Sequence, residues 1–173
     1  NPRLSVAHKY YAQLEAEMGQ SISAMVRLLG QAAQHGNDPE LFAGLVHVCR
    51  YCGLFEQAID AHAEARRLDP NVPTSIEQTI MMTGDIERLL ALERPRTVSG
   101  GDHGIGVMGL GLAGRLDEAR KALVTLRETS RFPAFRWWGD ALMAWLERRP
   151  ADMREVLAER ALYAAVLTLR SVE

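Results

Sequence analysis

Two overlapping glycine runs raise the question of chemistry in this 173-residue chain. Gly104-Ile105-Gly106-Val107-Met108-Gly109 and Gly109-Leu110-Gly111-Leu112-Ala113-Gly114 both fit G-x-G-x-x-G, the spacing of a dinucleotide-binding turn. Such a turn works only where a strand enters the glycines and a helix leaves them, aiming backbone N–H groups at a pyrophosphate. The residues before Gly101 form a helix-like run and then a loop, so no strand feeds this one. Cys49 and Cys52 make a single C-x-x-C. A zinc site needs a second Cys or His pair at regular spacing, and a thioredoxin-like site needs a βαβ setting. Neither is present, so both cysteines read as reduced core thiols. Asp102 and His103 stand at a helix start, where an Asp serves as a cap or first-turn acid. No phosphate-binding G-x-x-x-x-G-K-[ST], nucleophile elbow or H-E-x-x-H helix occurs.

Composition narrows the classes further. Hydrophobic residues make up 47% of the chain, enough for a core, and a formal net charge of -2 with interspersed signs offers no footprint for nucleic acid or anionic lipid. No run of about eighteen apolar residues exists, so no membrane partner is expected, and the start lacks a signal-peptide core. With its low cysteine usage the chain reads as cytoplasmic. It begins without Met, which fits a segment of a larger protein.

Elements that must position any site are helical. Apolar residues recur at helical spacing, as at Leu41, Leu45, Val48 and Cys52, while strand-like alternation is scarce. Breaks at Gly19, 35–39, Gly53, 69–71, Gly84, 94–101, Gly114, 131–133 and 149–150 leave segments of helix-pair length. The glycines carry a repeat: Gly19, Gly53, Gly84 and Gly114 are each followed five residues later by a small or apolar residue, Ala24, Ala58, Leu89 and Ala119. About five irregular units follow, at 5–36, 39–70, 70–99, 100–131 and 132–173. Both glycine runs then fall inside the first helix of the fourth unit, at 102–113. Four glycines in a helix cost roughly 2–4 kcal/mol in total, which close packing or a ligand pocket has to offset.

Residues 39–70 resemble the tetratricopeptide repeat family. Phe42, Leu45, Val46 and Cys49, then Ala58, His62, Ala65 and Pro70, meet its pattern, with Gly53 at the turn between helices. The resemblance implies an all-α fold, a right-handed solenoid of antiparallel helix pairs forming one domain across 1–173. Small residues such as Ala12, Ala58, Ala65, Ala119 and Gly139 would let paired helices approach. It also places Cys49 and His62 between the helices of one unit. That pair could suggest a nucleophile with its base, or metal ligands; slots normally filled by core aromatics favour packing, so no metal and no catalytic residue is assigned.

The resemblance further implies a partner-binding groove lined by first helices: Lys9 and Gln13; His47, Arg50 and Tyr51; Gln78 and Met82; Met108 and Leu112; and Arg136, Trp137 and Asp140. The subclass that grips a C-terminal carboxylate uses Lys and Asn, whereas this chain has Lys9 with Gln13 and then Ala43 with His47. A mixed, Met-containing lining suits an amphipathic helix or extended peptide better. In the aromatic stretch 132–145, Trp138 and Trp145 share a helix face and read as core, while Trp137 points elsewhere and is the anchor candidate. The expected function is a non-enzymatic interaction module without a cofactor, binding a protein, a peptide or another domain of its own chain. Homodimerisation or a spacer role is one alternative. A small-ligand, nucleotide-binding or enzymatic domain using the glycine-rich segment is another.

Overall fold

The computed structural model describes residues 4–92, 100–129, 133–156 and 158, with the side chains of 100–103, 127, 129 and 133–137 outside that description. Helix is the only regular secondary structure among the described residues, as the apolar spacing predicts. The helices are α1 (Ser5–Glu17), α2 (Ser21–Gln34), α3 (Pro39–Tyr51), α4 (Phe55–Leu68), α5 (Ile76–Thr83), α6 (Ile86–Ala91), α7 (Gly100–Leu112), α8 (Leu116–Thr129) and α9 (Pro133–Leu146). A further helical stretch covers 150–156. No described helix is long and apolar enough to cross a membrane.

The chain divides into two compact units, Asn1–Asp85 and Ile86–Glu173. That division falls between α5 and α6, inside the segment 70–99 read from sequence as one repeat. In the first unit α3 packs against α1, α2, α4 and α5. From Leu41 to Arg50 every residue but Phe42 is therefore buried. Asp38 starts this helix by accepting the Glu40 N–H at 3.0 Å, and Pro39 at its first position gives up no hydrogen bond. In the second unit α7 packs on α6, α8 and α9. Its core is Val107, Ala119, Leu123, Leu126, Leu142 and Met143.

One turn geometry recurs. The backbone takes φ of +82° at Gly19, +73° at Gly53, +79° at Gly84 and +76° at Gly114, conformations that glycine adopts without a Cβ penalty. Arg148, at φ +56°, is the single non-glycine among the described residues to do the same. At Gly19, Gly53, Gly114 and Arg148 the same two bonds close the helix. At Gly53 its own N–H donates to the Arg50 carbonyl at 3.0 Å, and the Leu54 N–H donates to the Cys49 carbonyl at 2.9 Å. This is the Schellman pattern, which satisfies carbonyls left over at a helix C-terminus. Ala24, Ala58, Leu89 and Ala119, five residues beyond their glycines, are all wholly buried.

The glycine-rich segment is helical from Gly100 to Leu112, so both runs lie in or directly after a helix and form no strand-turn-helix. At Gly104, Gly109 and Gly111 the space left by the missing side chain is taken. A Cβ on Gly104 would collide with the Trp138 indole, and one on Gly111 with the Leu146 side chain. At Gly109 it would come within 2.8 Å of Leu89 Cδ2. A Cβ at Gly139 would overlap Leu123, and at 3.1 Å it would also press on Leu126. Close helix packing thus offsets the propensity cost, and at these positions no room is left for a ligand.

Candidate functional site

A buried helix with polar residues must satisfy most of them internally, and the C-terminal half of α3 does so with a connected set that leaves only His47 Nε2 among its own buried side-chain atoms without a hydrogen-bond partner. His47, Arg50 and Tyr51 stand three and four residues apart and share one side of the helix. Arg50 Nη1 reaches the residue before α5, donating to the Ser75 carbonyl at 3.0 Å and to its Oγ at 2.8 Å. Arg50 Nη2 lies 3.0 Å from His47 Nδ1. A guanidinium can only donate, so Nδ1 accepts and the neutral imidazole keeps its proton on Nε2. That nitrogen lies 3.6 Å from Glu17 Oε1 at the end of α1.

Burial, and then the Arg50 charge, push His47 down to about 4. Its ring is therefore neutral near pH 7, and the approach to Glu17 is dipolar rather than ionic. On the outer side the Tyr51 ring stacks on the imidazole with centroids 4.9 Å apart, and the Arg50 guanidinium stands 5.6 Å from the same ring. Tyr51 remains 47% exposed.

Lys9 forms the second anchor. Its Nζ donates to Glu40 Oε2 at 2.7 Å and to the Pro73 carbonyl at 3.2 Å, joining α1 to the first turn of α3 and to the segment before α5. The helices cross closely there: a Cβ on Gly44 would lie 3.4 Å from the Lys9 Cα. The groove residues expected in the first unit divide in role. Lys9, His47 and Arg50 are buried and bonded within the protein, while Gln13, Tyr51, Gln78 and Met82 reach solvent. Charges at helix crossings are consumed by the crossing itself, which residue type alone does not disclose.

In the second unit Met108 packs partly into the core and Leu112 is exposed. Asp140 lines an open groove of about 470 Å³ between α8, α9 and the 150–156 stretch, as do Arg120 and Arg149. Glu147 joins those two arginines, at 2.7 Å from each, and together they hold its carboxyl below the usual range. Sequence reasoning missed this triad, because Arg120 and Glu147 are 27 residues apart. The Arg136 and Trp137 side chains, like those of Asp102 and His103, lie outside the described residues.

Trp145 corrects a sequence expectation. It shares a face with Trp138 by helix periodicity yet is 52% exposed in the last turn of α9. Trp138 is half-buried against Gly104.

Cys49 and Cys52 are free thiols. Burial raises the Cys49 thiol, leaving it protonated and a poor nucleophile. His62 Nδ1 is spent on Thr74 Oγ1 at 2.8 Å, tying α4 to the segment before α5. Nowhere among the described residues do three or more His, Cys, Asp or Glu gather as metal ligands would. Comparisons with protein-family models, with curated proteins and with solved structures find no match to this chain.

Proposed function

We propose that this chain is a non-enzymatic protein-interaction module, a right-handed solenoid of antiparallel helix pairs of the tetratricopeptide kind. The side formed by first helices holds a peptide, a partner protein or another domain of the same chain. The recurring Schellman turn with a buried residue five positions later supports repetition of one helix-pair unit. Two free thiols fit a reducing compartment such as the cytoplasm.

Tyr51 is the observation that carries the reading. An aromatic ring half open to solvent, yet held by stacking on a buried imidazole that Arg50 fixes in turn, has already lost the freedom a binding anchor must lose. The test is affinity capture from lysate with wild type and a Tyr51→Ala/Met82→Ala variant, with helicity followed by circular dichroism. The expected result is loss of the captured partner with helicity unchanged. Equal capture by both proteins overturns the reading.

A further inference from the structure

The α1–α2 hairpin turns its small residues inward and its large apolar ones outward. Ala12, Ala16, Ala24 and Leu28 are buried, while Tyr11 and Leu14 on α1, Met18 at its C-terminal cap, and Ile22, Val26 and Leu29 on α2 are each more than half exposed. Their spacings of three and four residues are those of the a and d positions of a coiled-coil stripe, which takes another helix as its partner. The two rows belong to one hairpin joined by a short turn, and Arg27 of α2 sits 4.5 Å over the Tyr11 ring of α1.

Residues 4–34 contain four Lys, Arg, Asp or Glu, namely Lys9, Glu15, Glu17 and Arg27. Glu15 pairs with Arg27 inside the hairpin, Lys9 pairs with Glu40, and Glu17 faces His47. The six residues of the exposed rows are themselves uncharged, so within the rows an identical face meets no like charge. Six side chains of this size at these exposures present roughly 500 Å² of apolar surface. Two such faces together remove about 1,000 Å² from water, the lower bound for a specific interface.

We propose that this hairpin face is a self-association surface, on which two copies of the chain pack α1 and α2 against their counterparts about a two-fold axis. It uses neither Tyr51 nor Met82 and is independent of the partner-binding reading. Light scattering and sedimentation of the 173-residue chain across a hundredfold concentration range test it. The expected mass is twice the 19.2 kDa of one chain, falling to the single-chain mass in Leu14→Glu/Val26→Glu and retained in Tyr51→Ala. A milder Met18→Ala/Ile22→Ala variant is expected to weaken association at least tenfold with helicity intact. A wild-type mass of one chain at every concentration overturns the proposal. A dimer that survives the charged pair in folded protein overturns it equally.

Discussion

Arg50 Nη2 and His47 Nδ1 meet at 3.0 Å, and this one contact sets the electrical state of both residues. The arginine donates, the imidazole accepts, and the ring stays neutral while its outer face carries Tyr51. Each role depends on the other two donor contacts of Arg50, which run to Ser75 and fix the guanidinium against α5.

Arg50→Ala leaves the Ser75 carbonyl, the Ser75 hydroxyl and His47 Nδ1 without their donor. The expected loss is about 3 kcal/mol in urea denaturation, since groups bonded to a buried charge are costly to orphan. Arg50→Lys recovers less than half of it, because an ammonium cannot span both partners as the fork does. An alanine variant as stable as wild type would contradict this role.

Acid acts through the same imidazole. His47 falls from 6.5 in the unfolded chain to about 4 in the folded one, so between those values the unfolded chain binds the proton more readily. Stability is full above about pH 6.5 and declines as pH drops towards 4, by up to roughly 3 kcal/mol. His62, also lowered by burial and by Arg66, adds a decline of the same sign. Denaturation at pH 7, 5.5 and 4.5 is expected to give a shallower decline in His47→Gln than in wild type, and parallel declines would remove His47 as the cause.

Two glycine-to-alanine changes are expected to differ in sign. Gly30 in α2 has nothing within 4 Å of an added Cβ, so Gly30→Ala gains about 0.5–1 kcal/mol from helix propensity. Gly111→Ala in α7 has the same propensity gain but drives a methyl into Leu146, for a net loss of about 2 kcal/mol. Thermal melts of the two variants decide it, and a gain at Gly111 would mean that α7 and α9 are not in close contact there.

The turns allow an inverse exchange. Arg148→Gly relieves a left-handed residue that bears a Cβ and is expected to gain about 0.5–1 kcal/mol, whereas Gly53→Ala loses about 1 kcal/mol. If Arg148→Gly lowers the melting temperature, the Arg148 side chain contributes more than its backbone strain costs.

Those turns also explain what could be read in advance. Gly19, Gly53, Gly84 and Gly114 announce themselves because glycine is the residue for positive φ, and the buried positions five residues later follow from helix geometry. Arg148 makes the same turn without that signature, so the break read at 149–150 does not disclose the left-handed residue before it. The grouping of His47, Arg50 and Tyr51 was legible from spacing along α3. Their anchor was not, since Ser75 lies 25 residues from Arg50 and only the packing of α3 on α5 brings it near. Lys9 looked like a free groove cation because nothing local reveals that Glu40 and Pro73 close over it. Trp145 was misplaced for the opposite reason: periodicity assigns a face, but whether a neighbour covers a given residue of that face is a tertiary matter.

A junction that recurs also bears on how such a chain can change its length. The turns at Gly19 and Gly53, and again those at Gly114 and Arg148, stand 34 residues apart and close with matching bonds. Duplicating or deleting one such interval would rejoin the chain through a turn of the same shape. Genetic change by whole intervals therefore meets little local resistance, whereas a shift of one or two residues misplaces every buried position after it.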